Sequence, residues 1–429
     1  MTRSLTVWWD GVVVGRLVLD RHGAMRFAYD SDWVADPARP PVSFSLPKRP
    51  ESFSARLCAP FFEGLLPEGS QRDAVAVALG VSSANTFRLL VALGEEVAGA
   101  LTLCAEGEVP SVPEADGGRI LSDDELVELL DTIRTRPFLA GREEGLRLSL
   151  AGAQSKLPVV VTGDGIAVPS PGQPTTHILK PPIPGLAATT ENEAFAMRLA
   201  AGLGLKVALA EARVVSGRPF LLVERYDRRV GADGEVRRLH QEDFCQALGV
   251  PSARKYASDG GPGFARCFDL LRRTCTPPAP AVLELLDAAI VQVLIGNADA
   301  HGKNYSINYS ILHDPLGAAT LAPLYDLMCT VEYPHLAATL AMKIGRRGTL
   351  REFRPGTWDR FARDCGLSAP FVRRRVRELC EMARERCEEV AAELACPGLD
   401  EEALHGFAAR IAERAGGLAG TTRPAGPRP

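Results

Sequence analysis

The sequence predicts an α+β fold: a strand-rich part, then a mainly helical part, with a small α/β subdomain placed before both. Three observations predict it. Short β-rich runs broken by turn residues recur up to about residue 228. Beyond that point the apolar residues fall mostly at helical spacing. At 429 residues the chain is also too long for one ordinary core, and length alone suggests about two to four domains.

The elements follow in order. Residues 5–9 and 12–19 flank Asp10-Gly11, a hairpin signal because glycine tolerates the positive φ of a tight turn. Residues 41–46 read as extended, and 61–67 as a short apolar helix stopped by Pro67. Residues 71–93 read as helix and 97–104 as a strand. These make an N-terminal subdomain over 1–105, followed by a linker over 106–120 rich in Pro, Gly and acids. Ser122 and Glu125 form a capping-box pattern ahead of Leu126, Leu129 and Leu130. The second domain, 121–228, alternates strands at 157–161, 177–179, 212–215 and 219–224 with a helix at 191–203 ended by Gly204. In the third, 229–414, the near-continuous apolar run 283–295 predicts a buried helix and 371–394 a long amphipathic one. Asp400 caps a last helix to Arg414, and the Gly- and Pro-rich tail 415–429 is expected to be disordered. No internal repeat is visible.

Composition excludes several classes. With 46% hydrophobic and 24% charged residues and a net charge of −4, the chain has no global basic field demanding nucleic acid or an anionic membrane. Ten cysteines without a CxxC pair fit buried, reduced thiols. The N-terminus lacks a signal-peptide pattern, and no apolar run is read as a membrane span. The expectation is a soluble, cytoplasmic protein.

The chemistry concentrates at Asn297-Ala298-Asp299-Ala300-His301-Gly302-Lys303-Asn304, where the buried helix ends. Asp299 and Asn304 have the spacing of a phosphoryl-transfer catalytic loop, in which the acid accepts a hydroxyl proton and the amide holds a metal ion. Downstream, Tyr325-Asp326-Leu327-Met328 places a carboxylate among apolar neighbours, as a second metal ligand would be. Each piece alone reads more often as a polar turn, a helix cap or a paired core acid; the combination in this order is rarer. Upstream, Ala151-Gly152-Ala153-Gln154-Ser155-Lys156 precedes a strand, and its small residues would let backbone N–H groups approach phosphates. Lys180 ends a strand, where it would serve ATP phosphates or simply be solvated. Glu191 or Glu193 could pair with it; both also suit a helix's first turn. Glu224-Arg225-Tyr226 leaves a strand as a nucleotide-holding hinge does, or as any charged strand end.

In collinear order these segments, with Phe61-Phe62-Glu63-Gly64-Leu65-Leu66-Pro67, Gln241 to Gly249, Lys255-Tyr256 and Asp259-Gly260-Gly261-Pro262-Gly263, closely resemble the HipA family of serine/threonine toxin kinases over residues 5–335. The resemblance implies a two-lobed protein-kinase-like fold. It implies Asp299 as catalytic base and Asn304 and Asp326 as Mg2+ ligands. It assigns ATP contacts to residues 151–156, Lys180, Glu224 to Tyr226, His301 to Asn304 and Tyr325 to Met328. Ser149 matches the family's autophosphorylated serine, whose modification expels the phosphate loop and silences the enzyme. The implied partners are a HipB-like helix-turn-helix antitoxin, operator DNA mainly through that antitoxin, and a protein substrate such as an aminoacyl-tRNA synthetase; no membrane is implied. At Ala300 and Gly302 the loop carries smaller residues than is usual in the family.

Two other readings compete. One is a kinase-shaped corepressor that transfers nothing; the retained Asp299, Asn304, Asp326 and Lys180 weigh against it. The other is a small-molecule or lipid kinase, against which the Ser149 loop argues. The arginines at 373–375 and 377 could meet phosphate backbone, but Glu378 and Glu381 suggest a balanced, solvated helix face.

Overall fold

The structure, a computed structural model, describes residues 3–113, 118–135, 137–140, 147–232, 234–309 and 318–423, with backbone alone at 307–309. The chain forms two compact units. The first comprises Met1–Pro181, Leu222–Ala253 and Ile307–Thr320; the second comprises Pro182–Leu221, Arg254–Ser306 and Leu321–Pro429. The units are discontinuous, whereas the expected domains followed chain order. Residues 229–253, expected with the helical part, belong to the first unit.

In the first unit, β1 (Ser4–Trp9), β2 (Val12–Leu19), β3 (Met25–Tyr29) and β4 (Leu101–Ala105) form an antiparallel sheet in the order β3-β2-β1-β4. Asp10 and Gly11 take φ of 48° and 73°, the left-handed pair that closes a two-residue hairpin. Leu5, Val7 and Trp9 alternate onto a buried face. The helix Ala55–Glu63 turns Cys58, Phe61 and Phe62 inward, and Phe62 lies 5.3 Å from Phe27 of β3.

Local expectations are corrected at three places in this unit. Residues 41–46 form a turn closed by a Ser43–Leu46 bridge, because Ser43 Oγ and Phe44 N–H both donate to the buried Glu242 carboxylate. The apolar helix at 61–67 instead runs Ala55–Glu63 and ends before Pro67. The helix expected over 71–93 is two helices, Gly69–Leu79 and Thr86–Leu93. Gly80, at φ 65°, ends the first, and Asn85 caps the second by accepting the Arg88 N–H.

A second antiparallel sheet of this unit contains β5 (Arg119–Ile120), β6 (Leu157–Thr162), β7 (Gly165–Val168) and β8 (His177–Lys180), in the order β5-β7-β6-β8. The expected linker therefore ends as an edge strand; its residues 114–117 lie outside the described ones. The capping box is formed: Ser122 N–H and Oγ donate to Glu125 Oε2 at 2.9 and 3.0 Å, ahead of the helix Asp123–Thr135.

The second unit is built on helices. Thr189–Gly202 is followed by Gly204 at φ 85°. Pro278–Ile295, with 18 residues, is by length and composition long and apolar enough to cross a membrane, which corrects the expectation that no such run exists. Residues 288–295 of this helix are all buried in the unit's core. Ala369–Leu394 packs along Glu401–Gly420. Asp400 caps that last helix by accepting the Ala403 N–H at 2.9 Å. The helix does not stop at Arg414: Ala415 and Leu418 continue the buried stripe of Phe407 and Ile411 through Gly416 and Gly417. The tail expected to be disordered from 415 is therefore helical to Gly420, and its residues 424–429 lie outside the described ones. The arginine face is balanced by acids: Arg373 pairs with Asp359, Arg374 with Glu378, and Arg375 with Asp287 at 2.7 Å. Nine of the ten cysteines are buried and all are free thiols.

Candidate active site

The candidate residues fall into two sets, one in each unit. In the second unit, Gly296 at φ 78° terminates the buried helix, and a Cβ there would meet Val331 Cγ2 at 2.6 Å. The loop that follows is pinned from behind. Ala298 N–H donates to Thr330 Oγ1 at 2.7 Å, and Ala298 O accepts from Ala341 N–H at 2.8 Å. Ala298 and Ala300 are buried, and Asp299 between them is exposed. Its Oδ1 accepts from Tyr256 Oη at 2.8 Å, and its N–H donates to Asn297 Oδ1 at 3.0 Å. His301, Gly302, Lys303 and Asn304 are all buried.

The structure brings Asn304 and Asp326 together. Asn304 Nδ2 donates to Asp326 Oδ2 at 3.0 Å, while Asn304 Oδ1 accepts from His301 N–H at 3.1 Å. A parallel bridge between Val207 and Leu324 delivers the second segment, and Tyr325 Oη bonds Ser306 Oγ and Lys303 O. Asp326 has φ 60°, in the left-handed region. Such a backbone costs a non-glycine residue about 1 kcal/mol and persists only where the surroundings impose it. Leu327 has no exposed surface, so its side chain is core rather than a nucleotide contact; Met328 is half-buried. Sequence reasoning had assigned no role to Asn192. It clasps the backbone of one residue just downstream of Asp326: its Oδ1 accepts from Cys329 N–H at 2.7 Å and its Nδ2 donates to Cys329 O at 3.2 Å. Glu191 Oε1 accepts from Asp400 N–H at 3.1 Å, which ties the first turn of its helix to the start of the last one.

The donor set fits magnesium. A carboxylate and an amide both carry hard oxygens, although here Asn304 turns its Nδ2 to Asp326 and its Oδ1 to His301 N–H, so ligation would use the remaining lone pair of that Oδ1; Mg2+ commonly takes only one or two protein ligands with phosphates and water completing six. Among the described residues no group of three or more His, Cys, Asp or Glu exists that would favour a softer or fully protein-bound ion.

In the first unit, the phosphate-loop candidate is gripped by the N-terminal elements. Ser149 is fully buried; its N–H donates to Glu96 O and its Oγ to Leu65 O, both at 2.8 Å. Gly152 pairs with Pro67, and Gly152 O accepts from Glu68 N–H at 3.0 Å. Ser155 Oγ accepts from Gln71 Nε2 at 3.1 Å. Gly152 has φ 113°, open only to glycine, and the Lys156 ammonium lies 2.6 Å from where its Cβ would stand. Ala151, Gln154, Ser155 and Lys156 are half-buried and Ala153 is exposed. Lys180 is buried at the end of β8.

The hinge candidates divide. Glu224 is exposed, and Tyr226 Oη donates to Gln241 Oε1 at 3.1 Å. The Arg225 side chain does not face a ligand. It is buried against Glu96 Oε1 at 3.0 Å and Asp227 Oδ2 at 2.8 Å, because its charge is needed there. Its backbone N–H is occupied too, donating to Thr176 O at 2.9 Å.

The comparisons with known proteins extend this picture. Residues 5–104 match the family model HipA N-terminal domain, and residues 148–387 match the HipA-like C-terminal domain. A protein of Sinorhizobium fredii named "Putative kinase Y4mE" is 54% identical over 96% of this chain and 98% of its own length. The serine/threonine-protein kinase toxin HipA of Shewanella oneidensis is 33% identical over 80% of this chain and 79% of its own. The solved complex of Shewanella oneidensis HipA with HipB and its operator DNA matches with a TM-score of 0.85 at 28% identity, covering 97% of this chain and 98% of that one. Two family models together span most of the sequence, relatives named as kinases align along nearly all of it, and the α+β fold superposes end to end, so this chain belongs to the HipA family.

Proposed function

We propose that this protein is an ATP- and Mg2+-dependent serine/threonine protein kinase that acts as the toxin of a toxin–antitoxin pair. The observation that carries the proposal is an exposed Asp299 carboxylate at the start of a loop whose buried end joins Asn304 to Asp326 at 3.0 Å. Asp299 orients an acceptor hydroxyl and takes its proton as the oxygen–phosphorus bond forms. The bond from the γ-phosphorus to the bridging oxygen breaks, and ADP leaves. Asn304 and Asp326 would hold Mg2+, which offsets phosphate charge when bound. Residues 151–156 and Lys180 receive the phosphates, and Glu224 and Tyr226 the adenine.

Ser149 is the proposed autophosphorylation site. Its hydroxyl is buried against the Leu65 carbonyl, so a phosphate of about −1.5 to −2 charge cannot be accommodated there and the segment must leave. Departure would take residues 150–156 with it and end nucleotide binding. The relative solved with HipB and operator DNA supports a HipB-like antitoxin as partner. An aminoacyl-tRNA synthetase is the substrate class this reading favours.

The test is incubation of the purified protein with γ-labelled ATP and magnesium, followed by peptide mass spectrometry. Label on Ser149 that disappears in Asp299→Asn is expected, as is growth arrest on expression without antitoxin that the same substitution relieves. An unlabelled wild-type protein, or equal toxicity of both forms, would defeat the proposal.

A further inference from the structure

The sequence motif Lys255-Tyr256 and the run Asp259-Gly260-Gly261-Pro262-Gly263 have no part in the mechanism so far. Both lie in the second unit with Asp299. The run explains how Tyr256 is presented. Two 3-10 turns, Ser252–Arg254 and Ala257–Asp259, wrap the tyrosine. Its carbonyl accepts from Asp259 N–H at 3.0 Å and from Gly261 N–H at 2.9 Å. A Cβ on Gly261 would collide with the carbonyl oxygens of Arg254 and Tyr256, so only glycine closes this turn. The Tyr256 ring stands edge-on to the buried His301 ring at 5.4 Å, with the Lys255 ammonium 5.5 Å from its centroid.

What this built turn delivers is one phenol group to Asp299 Oδ1 at 2.8 Å. An exposed carboxylate needs such a contact to hold one orientation against water. A bond from a neutral hydroxyl to a charged oxygen is among the stronger hydrogen bonds, and it fixes the plane of the group. It engages Oδ1, and the acceptor hydroxyl is proposed to meet Oδ2. The backbone side is held as well, since Asp299 N–H donates to Asn297 Oδ1 at 3.0 Å and Asn297 Nδ2 donates to Gln292 Oε1 at 2.9 Å. Gln292 lies in the buried helix, so the anchor reaches the core.

We infer that Tyr256 is a positioning residue for phosphoryl transfer, aiming the Asp299 carboxylate at the acceptor hydroxyl. The inference rests on the reading of Asp299 as the base. It is tested with Tyr256→Phe in the full chain, which keeps the ring and its packing on His301 and removes only the oxygen. Label incorporated into the protein itself is followed over a range of Mg-ATP concentrations, with Asp299→Asn as the inactive reference. Loss of orientation at a base that contributes about 10²- to 10⁴-fold predicts a maximal rate lower by about tenfold or more, with half-saturation by ATP within about twofold of wild type. Gly261→Ala, which shifts the tyrosine without deleting it, should lower the maximal rate in the same way. An unchanged or raised maximal rate in Tyr256→Phe overturns the inference while the kinase reading stands. If wild type transfers no more label than Asp299→Asn, the kinase reading falls and this inference with it. A parallel rise in half-saturation and fall in melting temperature would mark a packing role and also overturn it.

Discussion

Glu96 is the group whose loss the first unit should tolerate least. It is 3% exposed, yet three guanidinium groups surround it: Arg225 at 3.0 Å, Arg228 at 2.7 Å and Arg238 at 2.6 Å. Thr175 adds hydrogen bonds from its N–H and its hydroxyl, at 3.2 and 2.8 Å. Burial pushes the carboxyl pKa up, but Arg228, Arg238 and Arg225 outweigh it and leave the group at about 2 instead of 4.5. That difference corresponds to about 3 kcal/mol favouring the ionised form in the folded state. Removing one partner of a buried pair typically costs roughly 3 to 5 kcal/mol, since the other charges stay behind. Here Asp227 alone would face Arg225 and Arg228, Arg238 would lose its carboxylate, and Arg228 is already pushed down by burial and by Arg225. Glu96→Gln keeps the shape and removes the charge, and should therefore cost the first unit about 3 kcal/mol at neutral pH. Urea unfolding followed by tryptophan fluorescence measures this, because Trp8, Trp9 and Trp33 all report on that unit. Because the folded pKa lies below the unfolded one, the contribution is complete above pH 4.5 and fades as the pH falls toward 2. The gap between wild type and variant should narrow over that window. A neutral-pH loss below about 1 kcal/mol, the level of an exposed pair, or a gap independent of acid, would refute the reasoning.

Two further predictions separate other parts of the molecule. His240 is fully buried, with Nε2 2.8 Å from Val42 O, and burial lowers its pKa from 6.5 to about 4. The unfolded chain takes up the proton first, so first-unit stability should fall between pH 6.5 and 4, by up to about 3 kcal/mol, and His240→Asn should flatten that slope in urea titrations. A wild-type slope that survives in the variant would assign it to other groups. Gly152→Ala forces a Cβ into a backbone at φ 113° and to within 2.6 Å of the Lys156 ammonium. Calorimetric titration with Mg-ATP should show affinity lower by about tenfold with the second unit's melting unchanged, whereas wild-type affinity would remove residues 151–156 from nucleotide binding.

What could be read from the sequence was what neighbouring residues decide. Asp10-Gly11, Ser122 with Glu125, Gly204 and Asp400 each act within a few positions of themselves, and each formed the expected turn or cap. Asn304 meeting Asp326 was legible because each lies in a short motif of its own. The misses were decided by distant partners. Nothing in the sequence signalled that Glu191 would accept from the Asp400 N–H, more than two hundred positions away. Arg225 looked like a hinge residue, yet Glu96 holds its charge inside the first unit. Tyr256 and Asn192 were visible only as letters in motifs, because the hydrogen bonds that give them work run to Asp299 and Cys329. The helix past Arg414 was missed for another reason: two glycines argued for a break, and a buried Leu418 beyond them argued back.

The grip of the leading segment on residues 149–155 carries a consequence for anyone dividing this chain. Leu65, Glu68, Gln71 and Glu96 fasten Ser149, Gly152 and Ser155 through main-chain and side-chain hydrogen bonds, and all four precede residue 106. Trimming away that region to isolate a smaller catalytic fragment would unbuckle the same strip of backbone that a phosphate is proposed to evict. The fragment would then emulate the silenced enzyme without ever having been modified.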